Sequence, residues 1–172
     1  AQSIFYAVLG TGTCSEPIPS PTPSPTPSPA PTGYVYIPPG SFLMGSPADE
    51  PCRYSDEGPV HEVTLTRGFY MMKTEVTRQM WADLQAVQPT LPDDPSLVTY
   101  SPTMAHPVQQ NTWHESVLFA NLLSVQEGLF QAYYKNSEFT VPVDATNYDS
   151  GTFYCDFDAP GYRLPTEAEW EY

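Results

Sequence analysis

Basic side chains are scarce in this sequence of 172 residues: six Lys and Arg stand against twenty Asp and Glu, for a net charge of −14. Nucleic acid and anionic membrane surfaces are bound through basic patches, so this balance argues against both as partners. No apolar run approaches the ~20 residues of a bilayer-spanning helix. Cysteine is sparse as well: Cys14, Cys52 and Cys155 form no C-x-x-C and no Cys/His cluster. His61 has no partner His or Cys at metal spacing, which favours a structural hydrogen bond over a ligand role. The chain does not open with Met, and the apolar run Ile4–Leu9 lacks the basic flank of a signal peptide. Residues 1–16 therefore read as the tail of a signal sequence or the end of an upstream domain. Cys14 invites a lipid anchor, but Thr11-Gly12-Thr13 lacks the Leu of a lipobox, and an ordinary cysteine is preferred.

Proline is abundant instead, and it is concentrated. Between Pro17 and Pro31 eight prolines alternate strictly with Ile, Ser, Thr or Ala. Each fixes its own φ and pushes its predecessor to an extended conformation. Residues 17–32 thus read as a polyproline II linker, which at ~3.1 Å per residue spans roughly 45 Å. Such spacers are usual in exported bacterial proteins, so export to the periplasm, cell surface or medium is expected, lipid-anchored if Cys14 is modified.

The folded unit is expected over 33–172. Tyr34–Ile37 and Ser41–Met44 read as strands flanking Pro38-Pro39-Gly40, and a hairpin between them is plausible. Residues 45–60 read as a loop. Asp49, Glu50, Asp56 and Glu57 within it follow no calcium-loop spacing, and a solvated acidic loop is the better reading. His61–Thr66 alternates, with Val63 and Leu65 on one face. Phe69–Met72 continues as a strand. Thr77 caps a helix over 78–87, whose Met80, Trp81, Leu84 and Val87 recur at helical spacing and read as core. Thr112-x-x-Glu115 is a capping box opening a longer helix, roughly 113–127, that is apolar around most of its circumference and stops at Gly128. His114 in its first turn is expected to be exposed. Phe139–Val141 and Thr152–Cys155 read as short strands around the polar turn 147–151. Asp156-Phe-Asp158 is weak evidence of a metal. In an exported protein Cys52 and Cys155 suit a disulfide, with Cys14 left over. Short strands mixed with two or three helices indicate an α+β fold.

The last dozen residues, Gly161-Tyr-Arg-Leu-Pro-Thr-Glu-Ala-Glu-Trp-Glu-Tyr172, contain a second capping box, Thr166-x-x-Glu169. Fewer than two turns follow it, too few for an isolated helix, which suggests a fragment. These residues resemble the signature of the formylglycine-generating enzyme family, the sulfatase-modifying-factor domain. Four further segments agree in order: Gly40-Ser-Phe-Leu-Met-Gly45; Glu57-Gly-Pro-Val-His-Glu-Val63; Phe69 to Trp81 with Glu75-Val-Thr77 inside; and Pro107-Val108 followed by Trp113, Phe119, Asn121 and Leu123-Ser124. Asn111 departs from the pattern, where an apolar residue is expected.

The resemblance implies a C-type-lectin-like core with little regular secondary structure, of which this chain carries the N-terminal half. Strands lacking partners from the other half would leave exposed apolar edges and poor solubility. It also implies copper-dependent oxidation of a cysteine in an unfolded sulfatase-type polypeptide to formylglycine. Soft thiolates select Cu(I), and in the family that cysteine pair and the calcium sites lie beyond the E-W-E-Y segment. Copper and calcium are therefore expected only in a longer protein. No catalytic, cofactor-binding or metal-ligating residue is assigned in this chain, and it is expected to be inactive alone. The alternative is a non-catalytic binding or structural module of the same fold, displayed on a bacterial surface. The iron-dependent sulfoxide synthases of thiohistidine biosynthesis rank last, because no His-rich helix is present.

Overall fold

The computed structural model describes residues 7–10 and 30–172. The regular elements are β1 (Val8–Leu9), β2 (Tyr34–Ile37), β3 (Gly40–Met44), β4 (His61–Leu65), β5 (Phe69–Met72), α1 (Arg78–Val87), α2 (Trp113–Gln126), β6 (Tyr133–Tyr134), β7 (Tyr154–Cys155), β8 (Tyr162–Arg163) and α3 (Glu167–Glu171). This is a mixed fold of small sheets and helices joined by long irregular segments.

Strands β2 to β5 form one nested ribbon rather than two successive hairpins. β2 pairs antiparallel with β5, Ile37 facing Phe69, and β3 pairs with β4, Gly40 facing Leu65. The expected hairpin between the first two strands does not form. Pro38 and Pro39 have no N–H to give a ladder, and they mark a bend in the ribbon. Two residues there oppose three, Thr66, Arg67 and Gly68, so the bend carries one extra residue, as a bulge does.

The sheet at the base of the ribbon has the order β2-β5-β1-β8. Val8 faces Met71 on one side and Arg163 on the other. Ala7 and Val8 are fully buried. Residues 1–16 were expected outside the domain, so this is a correction: Ala7–Gly10 lies at its centre. A two-residue strand has too few positions to display a period, and its pairing comes wholly from distant partners. The proline-rich stretch therefore lies in the chain between two strands of one sheet, β1 and β2. The polyproline conformation and Cys14 fall outside the described residues.

Helix α1 begins where Thr77 Oγ1 accepts from Met80 N at 3.2 Å. It buries Trp81 and Leu84, while Met80 and Val87 stay partly exposed. Trp81 stacks on Phe119 of α2 with ring centroids 5.2 Å apart, and its indole N–H donates to Pro92 O at 2.8 Å. Both capping boxes form, at Thr112/Glu115 and at Thr166/Glu169. Asn111 is buried, and its amide donates to Ser116 Oγ at 2.7 Å, so the polar residue steadies the start of α2. Of the expected later strands, 152–155 narrows to Tyr154–Cys155, which pairs with Tyr133–Tyr134. Residues 139–141 form no strand: Phe139 adopts φ +52, and Asn136 Oδ1 accepts from Thr140 N and Val141 N, closing a turn.

Candidate functional site: a groove between two helix ends

Two residues of α2, Asn121 and Ser124, tie neighbouring backbone to the helix. Asn121 is fully buried; its amide donates to Tyr133 O (2.8 Å) and Val143 O (2.9 Å), and its Oδ1 accepts from Tyr133 N (3.0 Å). One side chain thus bonds three backbone groups, two on the short strand β6 and one on the irregular chain at Val143. One turn later, Ser124 Oγ donates to Ala120 O and accepts from Tyr162 N, both at 2.8 Å, which clips β8 to α2. Gly161 permits this approach, since a Cβ there would collide with Phe130 O and Ser124 Oγ.

Arg163 then makes a two-pronged ion pair with Glu169, at 2.6 and 2.5 Å, with both side chains at or below 10% exposure. Burial alone would raise the Glu169 carboxyl. The hydrogen bond from Arg163, with those at Thr166, outweighs burial and holds it below the usual range. The same carboxylate closes the capping box, so β8 and α3 are locked together. Helix α3 in turn reaches the ribbon: Glu171 Oε1 accepts from Gly45 N at 2.6 Å, and Tyr172 packs on Phe42 with centroids 5.3 Å apart.

Against this frame the polar residues singled out in the sequence are scattered. His61 Nδ1 lies 2.8 Å from Pro59 O, in the structural role expected. His114 is half-buried, not exposed, and stacks on Phe153 at 5.1 Å. Trp113 meets the same Phe153 edge-on, and Lys135 Nζ sits 4.0 Å over its ring. Glu57 accepts from Ser46 Oγ at 3.0 Å, Asp156 from the backbone N–H of Asp158 at 2.9 Å, and Asp158 pairs with Arg67. Cys52 and Cys155 are both free, which corrects the expected bridge: Cys52 is exposed in the loop after β3, whereas Cys155 is committed to the β6–β7 pair. Burial pushes the Cys155 thiol up to about 11. The donor set therefore does not fit copper, which would want neighbouring thiolates.

Among the described residues, one concave feature is a groove of ≈ 480 Å³ between α1, the C-terminal half of α2 and strand β2. That volume lies within the range of ligand sites. Met72, Met80, Leu84 and Leu123 give it an apolar floor, Tyr34 and Tyr162 form one wall, and Asp83 and Glu127 stand on its rim. The two phenols are linked by a hydrogen bond and their rings lie 6.1 Å apart. Burial, reinforced by that bond and by the Glu127 charge, pushes the Tyr34 hydroxyl far above its ordinary value. Sequence reasoning assigned no site here. The helical stripe that contains Met80 and Val87 was legible, but that these two remain uncovered depends on the packing of α1 against α2.

Comparison with known proteins places these features. The family described as sulfatase-modifying factor enzyme 1-like domain matches residues 19–172. Chaperone protein LppX of Paenibacillus barcinonensis is 36% identical over 121 residues, covering 69% of this chain and 38% of its own. Among solved structures, Treponema denticola variable protein 1 superposes with a TM-score of 0.60 at 29% identity, covering 80% of this chain and 50% of its own. CarF gives 0.58 at 27% identity, covering 80% and 54%. The chain thus spans about half the length of these solved relatives and less of the curated one. No described helix is long and apolar enough to cross a membrane.

Proposed function

The chain belongs to the sulfatase-modifying factor enzyme 1-like family, and from that premise we propose that it acts as a non-catalytic polypeptide-binding module of an exported bacterial protein. The observation that carries this reading is the groove: an open trough of mixed lining, where Met72, Met80, Leu84 and Leu123 stand beside Asp83, Gln126 and Glu127. Flexible methionines such as Met72 and Met80 suit a surface that accommodates varied apolar side chains. The similarity to a protein named as a chaperone supports a polypeptide ligand. The oxidase reading draws on family membership, and no residue of this chain is assigned to it. Ser-Pro-Thr-Pro repeats support export.

Titration of the full 172-residue chain with a fluorescently labelled, reduced and carboxymethylated α-lactalbumin tests the reading. Saturable binding is expected, weakened about tenfold or more by Met80→Glu with Val87→Asp, both at exposed positions. Absence of binding to the parent chain, or equal binding by the variant, overturns it.

A further inference from the structure

We propose that the groove selects polypeptide segments in which a lysine or arginine lies among apolar residues, the cation resting between Asp83, Glu127 and the two tyrosine rings. The inference rests on the polypeptide-binding reading and adds the charge of the partner.

Four features of the groove favour a cation. First, its rim carries two carboxylates, Asp83 from α1 and Glu127 from the end of α2, and none of the described residues lining it is Lys or Arg. Second, both helices present their C-terminal ends here, through Val87 on α1 and Gln126 on α2. A helix C-terminus carries the negative end of the macrodipole and favours cations. Third, neither helix has a basic residue in its last turn, so that preference is not met from within the chain. Fourth, Tyr34 and Tyr162 line the groove, and a cation held over an aromatic ring is attracted by its quadrupole. The influence of Glu127 reaches both phenols, which places the carboxylate and the rings within one electrostatic neighbourhood. An anionic or purely apolar ligand would gain from none of these four.

The floor sets the rest of the recognition. Met72, Met80, Leu84 and Leu123 favour aliphatic neighbours on the ligand and would gain nothing from a polar one. A lysine stem of four methylenes can lie along such a surface while its ammonium reaches the rim. The chain itself has only six Lys and Arg among 172 residues, so self-association through this groove is disfavoured relative to a basic partner.

The test uses two capped pentapeptides, Leu-Leu-Lys-Leu-Leu and its counterpart with norleucine at the centre, titrated into the full chain. The ε-methyl resonances of Met72 and Met80 report occupancy of the groove. The lysine peptide is expected to bind about tenfold more tightly, as two carboxylates and two helix ends on a half-open site can supply. That preference should fall to within about twofold in Asp83→Asn with Glu127→Gln, and it should shrink in the parent chain as sodium chloride is raised to ~0.5 M. Equal binding of both peptides at the methionine methyls overturns the cation inference and leaves the polypeptide-binding reading standing. A lysine preference that survives the double substitution overturns it too, because the cation then sits elsewhere. No methyl shift with either peptide, together with no binding of the unfolded protein, removes both.

Discussion

Around α2, eight of fourteen helix residues are buried, and buried side chains supply the cross-links. In the β3–β4 hairpin no residue is fully buried, and Leu43 is 69% exposed. The hairpin is held from outside by a backbone N–H at Gly45 meeting Glu171 and by Tyr172 against Phe42, and across its own strands by the Ser41–Thr64 hydroxyl contact at 2.7 Å. The two regions carry separate blocks of one family signature, and the chemistry of the blocks differs. Near α2 a polar residue is valuable because it pairs backbone groups such as Tyr133 N and Val143 O. In the hairpin the ladder satisfies the backbone, and the signature residues fix direction and docking instead.

Removing the amide of Asn121 is expected to give the largest effect. Asn121→Ala leaves Tyr133 N and Val143 O buried without the partner Asn121 gave them, while Tyr133 O keeps its bond from Val143 N, and this should cost roughly 3 kcal/mol in urea unfolding. A loss under 1 kcal/mol would mean that the α2 region tolerates unpaired groups as the hairpin could.

The Arg163–Glu169 pair joins the two regions, and its loss should come next. Arg163→Met strands a buried carboxylate and should cost about 3 kcal/mol near neutral pH. The folded-state affinity of Glu169 for protons is depressed, so its stabilising contribution is fully present above the ordinary carboxylate value near 4.5. It is lost as pH falls through the lower folded value. Thermal midpoints followed downward from pH 5 should therefore decline in the parent chain, with a shallower slope in Glu169→Gln. Parallel slopes would assign the acid sensitivity to another carboxylate, such as Asp94, which burial would raise but which Ser96 and Arg78 hold low.

The smallest effect belongs to the hairpin itself. Gly45 adopts φ +95, and a Cβ there would stand 2.8 Å from Glu57 O. Gly45→Ala should cost about 1–2 kcal/mol. Its amide resonances should shift at Glu171 and Tyr172 while those around Asn121 stay in place. Shifts that spread to α2 would show the two regions to be one cooperative unit.

The sequence disclosed most of what depends on neighbours a few residues away. Thr77, Thr112 and Thr166 declared three helix starts, and the alternation of Val63 and Leu65 declared β4, because caps and periodicity are local. It concealed what depends on distant partners. Tyr34–Ile37 was legible as a strand, but its pairing with Phe69–Met72 instead of Ser41–Met44 was not. Val8–Leu9 showed no strand signal at all. Cys52 and Cys155 looked like a matched pair only because nothing in spacing records that one belongs to an open loop and the other to a sheet. The groove was hidden for the same reason: Met80 and Val87 have the spacing of core residues, and only the placement of α2 leaves them uncovered.

The register of β1 has a consequence during synthesis. Val8 is made 155 residues (163 − 8) before Arg163, one of its two partners. At ~5–20 residues per second, the strand waits roughly 10–30 s on the ribosome with one hydrogen-bonding edge open. Through that interval β5 can cover only one side of it. A nascent chain of this kind offers a short, apolar, unpaired edge to any other strand nearby, including the β1 of the next polypeptide on the same message.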